Sequence, residues 1–315
     1  MTTTANPQNT LLVLFEQFIT ERIYCSHLSP ETIRGYREAF NLFIKLMPEV
    51  SEVDLLTTSI VVIFLQRIST RNRKVGRDTI KTGVNKSTIR TYWSKLNSFF
   101  EWLLSKKLIA QNPLLGMNAP RPQFNDKREI IESDIKKLYS AITLYPPNTF
   151  VLRRDTAMIS LLTFTGMRLG EFISLEVRDI DFDRRVLVIR SENSKSQRVR
   201  TIPIHPTLRL HLKDYIAERN KRRYKTFLLI ASSNGDRGLS RHGLKHWVKN
   251  IGLKADVKFH IHQFRHAFAC HLARKNVNAV KIQLLLGHNS LNMTMSYLRS
   301  METDNLFEDI SKLSV

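Results

Sequence analysis

The sequence predicts a mainly helical protein of two domains, the second mixing its helices with one small antiparallel β-sheet. Three observations carry that reading. Apolar residues recur at helical spacing through the first 110 residues. A proline-rich stretch then divides the chain, and a single hairpin pattern stands out among the helical segments beyond it. The length of 315 residues suits two such domains, at roughly 150 residues each.

Ser29-Pro30-Glu31 opens the first clear helix with an N-cap, a proline at the first helical position and an early carboxylate. Tyr36, Phe40, Phe43 and Ile44 then recur on one face. A second apolar segment runs from Asp54 to Ile68. Residues 67–90 hold eight basic side chains against Asp78 alone, with two glycines, which predicts a loop feeding a helix at Ser87. That helix presents Ile89, Tyr92, Trp93, Leu96, Phe99, Phe100 and Leu103 as a broad core face.

Pro113, Gly116, Pro120 and Pro122 make 112–127 an extended linker, so the predicted domains are 1–111 and 128–315. Helices follow near 132–143 and 151–164. Two β runs, Val186–Arg190 and Val199–Ile204, are joined by the polar Ser191–Arg198. Helices resume from about 207 to the end, where Leu306, Phe307, Ile310 and Leu313 give the tail its own helical spacing.

Apolar residues form 42% of the chain, a globular share. Lys and Arg number 49 against 28 Asp and Glu, a net charge of +21. The excess is spread along the chain, with +7 in residues 1–124 and +14 in 125–315. Two basic globular domains suit a clamp around a polyanion, most simply duplex DNA or RNA. Within the basic stretch, Arg71, Arg73, Lys74, Arg77, Lys81, Lys86 and Arg90 are the candidate phosphate-tracking side chains; a solvated charge run is the plainer reading.

Other classes drop out. Glu16 interrupts the apolar stretch from Leu11 to Phe15, so no secretory signal is expected. Apolar runs such as Ile60–Leu65 fall far short of the ~18–20 residues that span a bilayer. Cys25 and Cys270 are too few for a disulfide scaffold or a cysteine-rich zinc module. A cytoplasmic protein without membrane association is expected.

Several chemical constellations fail on spacing. Asp179, Asp181 and Asp183 imitate the start of a calcium loop, but Arg184 and Arg190 occupy the positions that need Gly and Glu. They read instead as a turn into a strand. His262, His266 and Cys270 stack at i, i+4 and i+8, yet no Glu follows His262 and Arg265 sets a cation beside them, so no metal is expected there. No phosphate loop ending in Gly-Lys-Ser/Thr occurs.

What remains is an ordered set of cationic and proton-transferring residues. Arg168 lies in Thr165-Gly166-Met167-Arg168-Leu169-Gly170-Glu171, where a glycine turn delivers it to a helix start. Lys195 sits in the hairpin connection. His262 and Arg265 share one helix face, His288 follows the Gly287 break, and Tyr297 lies nine residues further on. Each has a dull reading singly. Arg168 pairs with Glu171, Lys195 is a turn lysine, His288 a helix cap, and Tyr297 a core side chain.

Together these stretches resemble the catalytic domain of tyrosine recombinases, the Xer and phage-integrase family. The resemblance rests on Thr165–Glu171, on Lys195 followed by Arg200 and Pro203, on His262–Phe268, and on Leu285–His288 through Tyr297. Ser29–Tyr36 and Ser87–Pro113 likewise resemble the family's helical core-binding, SAM-like domain, so nearly the whole chain is covered.

The resemblance implies a site-specific recombinase that cuts and rejoins DNA through a 3′-phosphotyrosyl link, in chromosome or plasmid dimer resolution or in mobile-element integration and excision. It implies Tyr297 as nucleophile, with Arg168, Lys195, His262, Arg265 and His288 as its catalytic partners. Glu171 and His266 would hold the arginines and His262 in orientation. No cofactor and no metal is required. The implied partner is double-stranded DNA with inverted half-sites, bound by two to four copies or in a hetero-tetramer with a related recombinase. An accessory DNA-bending or translocase protein and a tail that docks on a neighbouring protomer fit the same picture. The rival classes are an inactive DNA-binding regulator of the same fold and a metal-dependent nuclease or transposase.

Departures from the family pattern are Gln263 and Phe264 for Asp-Leu, Met293 where Thr is frequent, and Ser194 and Ser196 where glycines flank the lysine. None falls on a catalytic position.

Overall fold

Helix α1 (Leu11–Tyr24) and helix α2 (Pro30–Leu46) open the chain in a computed structural model that describes residues 10–76, 79–121, 129–193 and 198–298. Ser29 caps α2 as its sequence predicts, accepting the Thr32 N–H at 3.3 Å. The expected second segment is a 3₁₀ turn at Val53–Leu55 followed by α3 (Thr58–Thr70), because Thr57 caps the helix and starts it late.

The basic stretch read as a loop is instead a ribbon, β1 (Asn72–Val75) paired antiparallel with β2 (Thr79–Thr82). Its β-branched Val75, Thr79, Ile80 and Thr82 favour a strand, a signal that the surrounding charge obscures. Helix α4 (Lys86–Ser105) follows under an Asn85 cap.

The core of this first unit is aromatic. Phe15 stacks on Phe40 at 3.8 Å between centroids and meets Phe99 edge-on at 5.3 Å. Leu96, Phe99, Phe100 and Leu103 of α4 are buried here, as their spacing predicts, and Trp102 is buried beside them. The stretch read as linker begins inside this core. Asn112 and Leu114 are buried, and the Asn112 side-chain amide donates to Asn97 Oδ1 at 2.9 Å. Pro113 opens the turn at 113–116 that packs there.

The chain divides into two units, Met1–Asn125 and Asp126–Val315. In the second, α5 (Glu132–Leu144) and α6 (Thr149–Thr165) lead to the short α7 (Leu169–Ser174). Helix α6 is buried along most of its length, with Arg154 and Asp155 paired inside it. The sheet has the order β3 (Ile180–Asp181), β4 (Val186–Ile189), β5 (Arg200–Pro203), antiparallel throughout. Asp181 Oδ1 accepts the N–H groups of Asp183 and Arg184, forming the turn into β4, and Arg190 pairs with Asp179.

Helices α8 (Pro206–Lys221), α9 (Arg241–Ala255), α10 (Ile261–Arg274), α11 (Ala279–Leu286) and α12 (Leu291–Leu298) complete the unit. The expected run of helices is broken at 225–240. There Leu228 bridges to Glu176, and Ala231 to Gly238. Among the described residues no helix is long and apolar enough to cross a membrane.

Candidate active site

The site is organised by the C-terminal end of α11. A helix leaves its last carbonyls without intrahelical partners and carries partial negative charge there. Gly287 ends α11 in the left-handed conformation, at φ +64. Three successive carbonyls at this end each receive an arginine from a different element. Arg200 of β5 donates Nε to Leu285 at 2.9 Å, and Arg265 of α10 donates Nη2 to Leu286 at 2.8 Å. Arg168, the N-cap residue of α7, donates Nη2 to Gly287 at 2.9 Å.

Arg265 also spans to the end of α6, donating Nη1 to the Gly166 carbonyl at 2.8 Å. Gly166 is left-handed at φ +57, and a Cβ there would lie 2.5 Å from the Phe268 ring. The glycine turn before Arg168 therefore has two physical causes, backbone hand and close packing.

Glu171 joins two of the arginines. Its carboxylate accepts both Arg200 Nη atoms at 3.0 and 2.8 Å, Arg168 Nη1 at 3.0 Å and the Arg168 backbone N–H at 2.7 Å. Burial pushes this carboxyl up, but the bonds and charges of Arg200 and Arg168 outweigh it, and the net shift is downward. The pairing with Glu171 is thus real, and it positions the guanidinium of Arg168.

His288, directly after the glycine break, is buried, with Nδ1 2.8 Å from Thr294 Oγ1. Burial, and then the charges of Arg265, Arg168, Arg200 and His262, lower its pKa to about 3. At neutral pH it is an uncharged imidazole.

Arg168, His262, Arg265 and His288 line one cleft of about 870 Å³. His262 is exposed there, while Arg265 is 2% exposed. The same cleft takes in Arg241 and Lys245 from α9 and His260 from the α10 N-cap, three residues that sequence reasoning missed. The described lining holds four Lys and Arg side chains and no carboxylate. Its potential suits a phosphate group.

Lys195 lies outside the described residues. Tyr297 falls within α12, and its side chain lies outside the described part of the structure. His266 is buried away from the cleft lining, with Nδ1 3.5 Å from Cys270 Sγ. Glu129, His266 and Cys270 form the one described cluster whose ligand atoms lie within 4.8 Å of one another, a set that zinc accepts. Glu129 there is already held by both arms of Arg274. His262, the third member of the helical stack, faces the cleft instead.

Two departures from the family pattern have structural roles. Gln263 accepts the His260 N–H at 2.8 Å, closing a capping box on α10. Phe264 packs edge-on to Phe259 at 5.8 Å in the core. Met293 lines the cleft.

In the first unit the candidate phosphate-binding residues cluster on and around the ribbon. Lys74, Lys81, Lys86 and Arg90 are exposed, and Arg71 and Arg73 are half-buried; Arg77 lies outside the described residues.

Residues 129–303 match the phage integrase family, and residues 15–107 match the N-terminal SAM-like domain of phage integrases. The chain belongs to the phage integrase family of tyrosine recombinases. Members break and rejoin DNA strands at specific sites. A tyrosine recombinase of Thermosipho africanus is 28% identical over 295 residues, covering 92% of this recombinase and 96% of its relative. The tyrosine recombinase XerA of Pyrococcus furiosus is 31% identical over 219 residues, covering 67% of this recombinase and 71% of XerA. The fold is shared with the Tn1549 transposon integrase in complex with a circular intermediate DNA. That match has a TM-score of 0.77 at 18% identity, covering 97% of this recombinase and all of that chain.

Proposed function

We propose that this recombinase cleaves and rejoins duplex DNA at paired inverted half-sites through a covalent link to Tyr297. The tyrosine oxygen attacks phosphorus and forms a 3′-phosphotyrosyl ester as the bond to the 5′-oxygen breaks. His262 assists removal of the phenolic proton, and Lys195 delivers a proton to the departing 5′-oxygen. Arg168 and Arg265 neutralise the non-bridging oxygens, and His288 adds a neutral N–H. A guanidinium carries five N–H donors, so one arginine can hold a main-chain carbonyl and a phosphate oxygen together.

Reversal of the same steps by a 5′-hydroxyl rejoins the strand. The broken ester is conserved as the tyrosyl ester, so no nucleotide is consumed. The observation that carries the reading is the convergence of Arg168, His262, Arg265 and His288 on one cleft whose described lining holds no carboxylate. A metal-dependent nuclease asks for inward carboxylates there. Two copies on inverted half-sites and four in the synaptic complex would act in dimer resolution or in movement of a mobile element.

The test uses a nicked suicide DNA site in EDTA. A covalent protein–DNA adduct that is absent with Tyr297→Phe is expected. Binding without an adduct would reduce the protein to a DNA-binding regulator, and cleavage that needs magnesium would make it a nuclease.

A further inference from the structure

We propose that the β1–β2 ribbon of the first unit is a preformed DNA-backbone arm, inserted into a groove so that phosphates are met from both of its faces. The inference deepens the recombinase reading and rests on it for the choice of duplex DNA as ligand.

The ribbon is a built element. A two-stranded hairpin alone is marginal in water, and this one is held at its base. The Gly83 N–H donates to the Arg71 carbonyl at 2.8 Å, and Arg73 Nε donates to the Gly83 carbonyl at 2.7 Å. Gly83 has φ +62, and a Cβ there would lie 2.2 Å from the Ser69 carbonyl oxygen, so the return strand is seated against the end of α3. Thr82 Oγ1 donates to Asn72 Oδ1 at 2.9 Å across the first pair.

Its side chains do not serve a core. All four residues of β2 are exposed, and Ile80 is 72% exposed. The register sets Arg73 opposite Lys81, and Lys74 opposite Ile80. Directly opposed like charges destabilise a strand pair. None of the described ion pairs supplies a carboxylate to Arg73, Lys74 or Lys81. The arrangement is costly in the isolated protein and favourable beside a polyanion.

Opposed residues project from the same face and alternate ones from opposite faces. Arg73 and Lys81 therefore occupy one face and Lys74 the other. A flat surface contact would use only one. Cations on both faces fit a ribbon flanked by two phosphate strands, and the major groove, about 12 Å wide, admits a two-stranded ribbon.

The experiment compares the full-length protein with Lys74→Gln/Lys81→Gln, and with a variant in which residues 72–82 are replaced by two glycines. The Arg71–Gly83 hydrogen bond already closes that gap, so excision leaves α3 and α4 joined. Duplex binding is measured across a salt series on the recombination site and on an unrelated sequence.

Each lost phosphate contact lowers the slope of log K against log salt by about 0.9. The double glutamine variant is expected to lose about 1.8 in slope on both sequences. Unchanged slope and affinity in both variants would overturn the proposal. The slope is read on duplex whether or not cleavage occurs, so failure of the arm and failure of the recombinase reading are separate results.

Discussion

Glu171 grips Arg200 with two parallel hydrogen bonds, at 3.0 and 2.8 Å, inside the second unit. The same carboxylate holds Arg168, whose guanidinium lines the cleft. Glu171 therefore fixes Arg168 at the cleft directly, although neither Glu171 nor Arg200 lines it. Glu171→Ala leaves Arg200 buried without its carboxylate, a loss of about 3–5 kcal/mol by analogy with other broken buried pairs. Chemical denaturation should show that loss. Strand cleavage at temperatures where the variant is folded should fall as well, and unchanged cleavage would separate Glu171 from the site.

Gly287 is the hinge of the arginine arrangement. Its φ of +64 costs an L-residue roughly 1–2 kcal/mol, and a Cβ would sit 2.8 Å from Arg200 Nη1. Gly287→Ala should lower the melting temperature and slow adduct formation, since it pushes Arg200 away from both Glu171 and the end of α11. Retention of wild-type cleavage would show that this close approach is not needed.

His288 predicts a pH dependence of stability. Its pKa is lowered to about 3 in the folded protein, first by burial and then by the neighbouring arginines. The unfolded chain takes up the proton near pH 6.5 while the folded chain does not. Stability is therefore complete above pH 6.5 and falls as the pH drops from 6.5 towards 3, by up to about 1.4 kcal/mol per unit from this group. His288→Gln should show a shallower decline over that window in urea titrations. Identical slopes would contradict the assignment.

Much of the fold was legible because the local signals agreed with each other. Ser29-Pro30 started α2, the spacing of Phe99, Phe100 and Leu103 marked the buried face of α4, and the β4–β5 hairpin lay where two β runs flank a polar connection. The ribbon was hidden because its β-branched residues are mixed with lysines and arginines, a composition shared with solvated loops. In the site, the sequence order of Arg168, His262, Arg265 and His288 was readable, and so was the glycine before His288.

What no local pattern carries is the set of carbonyls that the arginines occupy. Arg200 was visible only as a spacing marker, yet it bonds both the end of α11 and Glu171. Arg241 and Lys245 enter the cleft from the first turns of α9 and meet Arg168 from a helix start far earlier in the chain, a relationship no local pattern carries. Their basic character on the exposed side of an amphipathic helix was the one available signal.

The central claim is that Arg168 and its neighbours neutralise charge on the attacked phosphate. The most direct measurement compares Arg168→Ala with wild type on two suicide substrates, one with a normal phosphodiester and one with a neutral methylphosphonate at the cleavage position. A loss of about 10²–10³ in cleavage rate is expected on the phosphodiester, and a much smaller loss on the methylphosphonate, where that charge is gone. An equal loss on both substrates would contradict it.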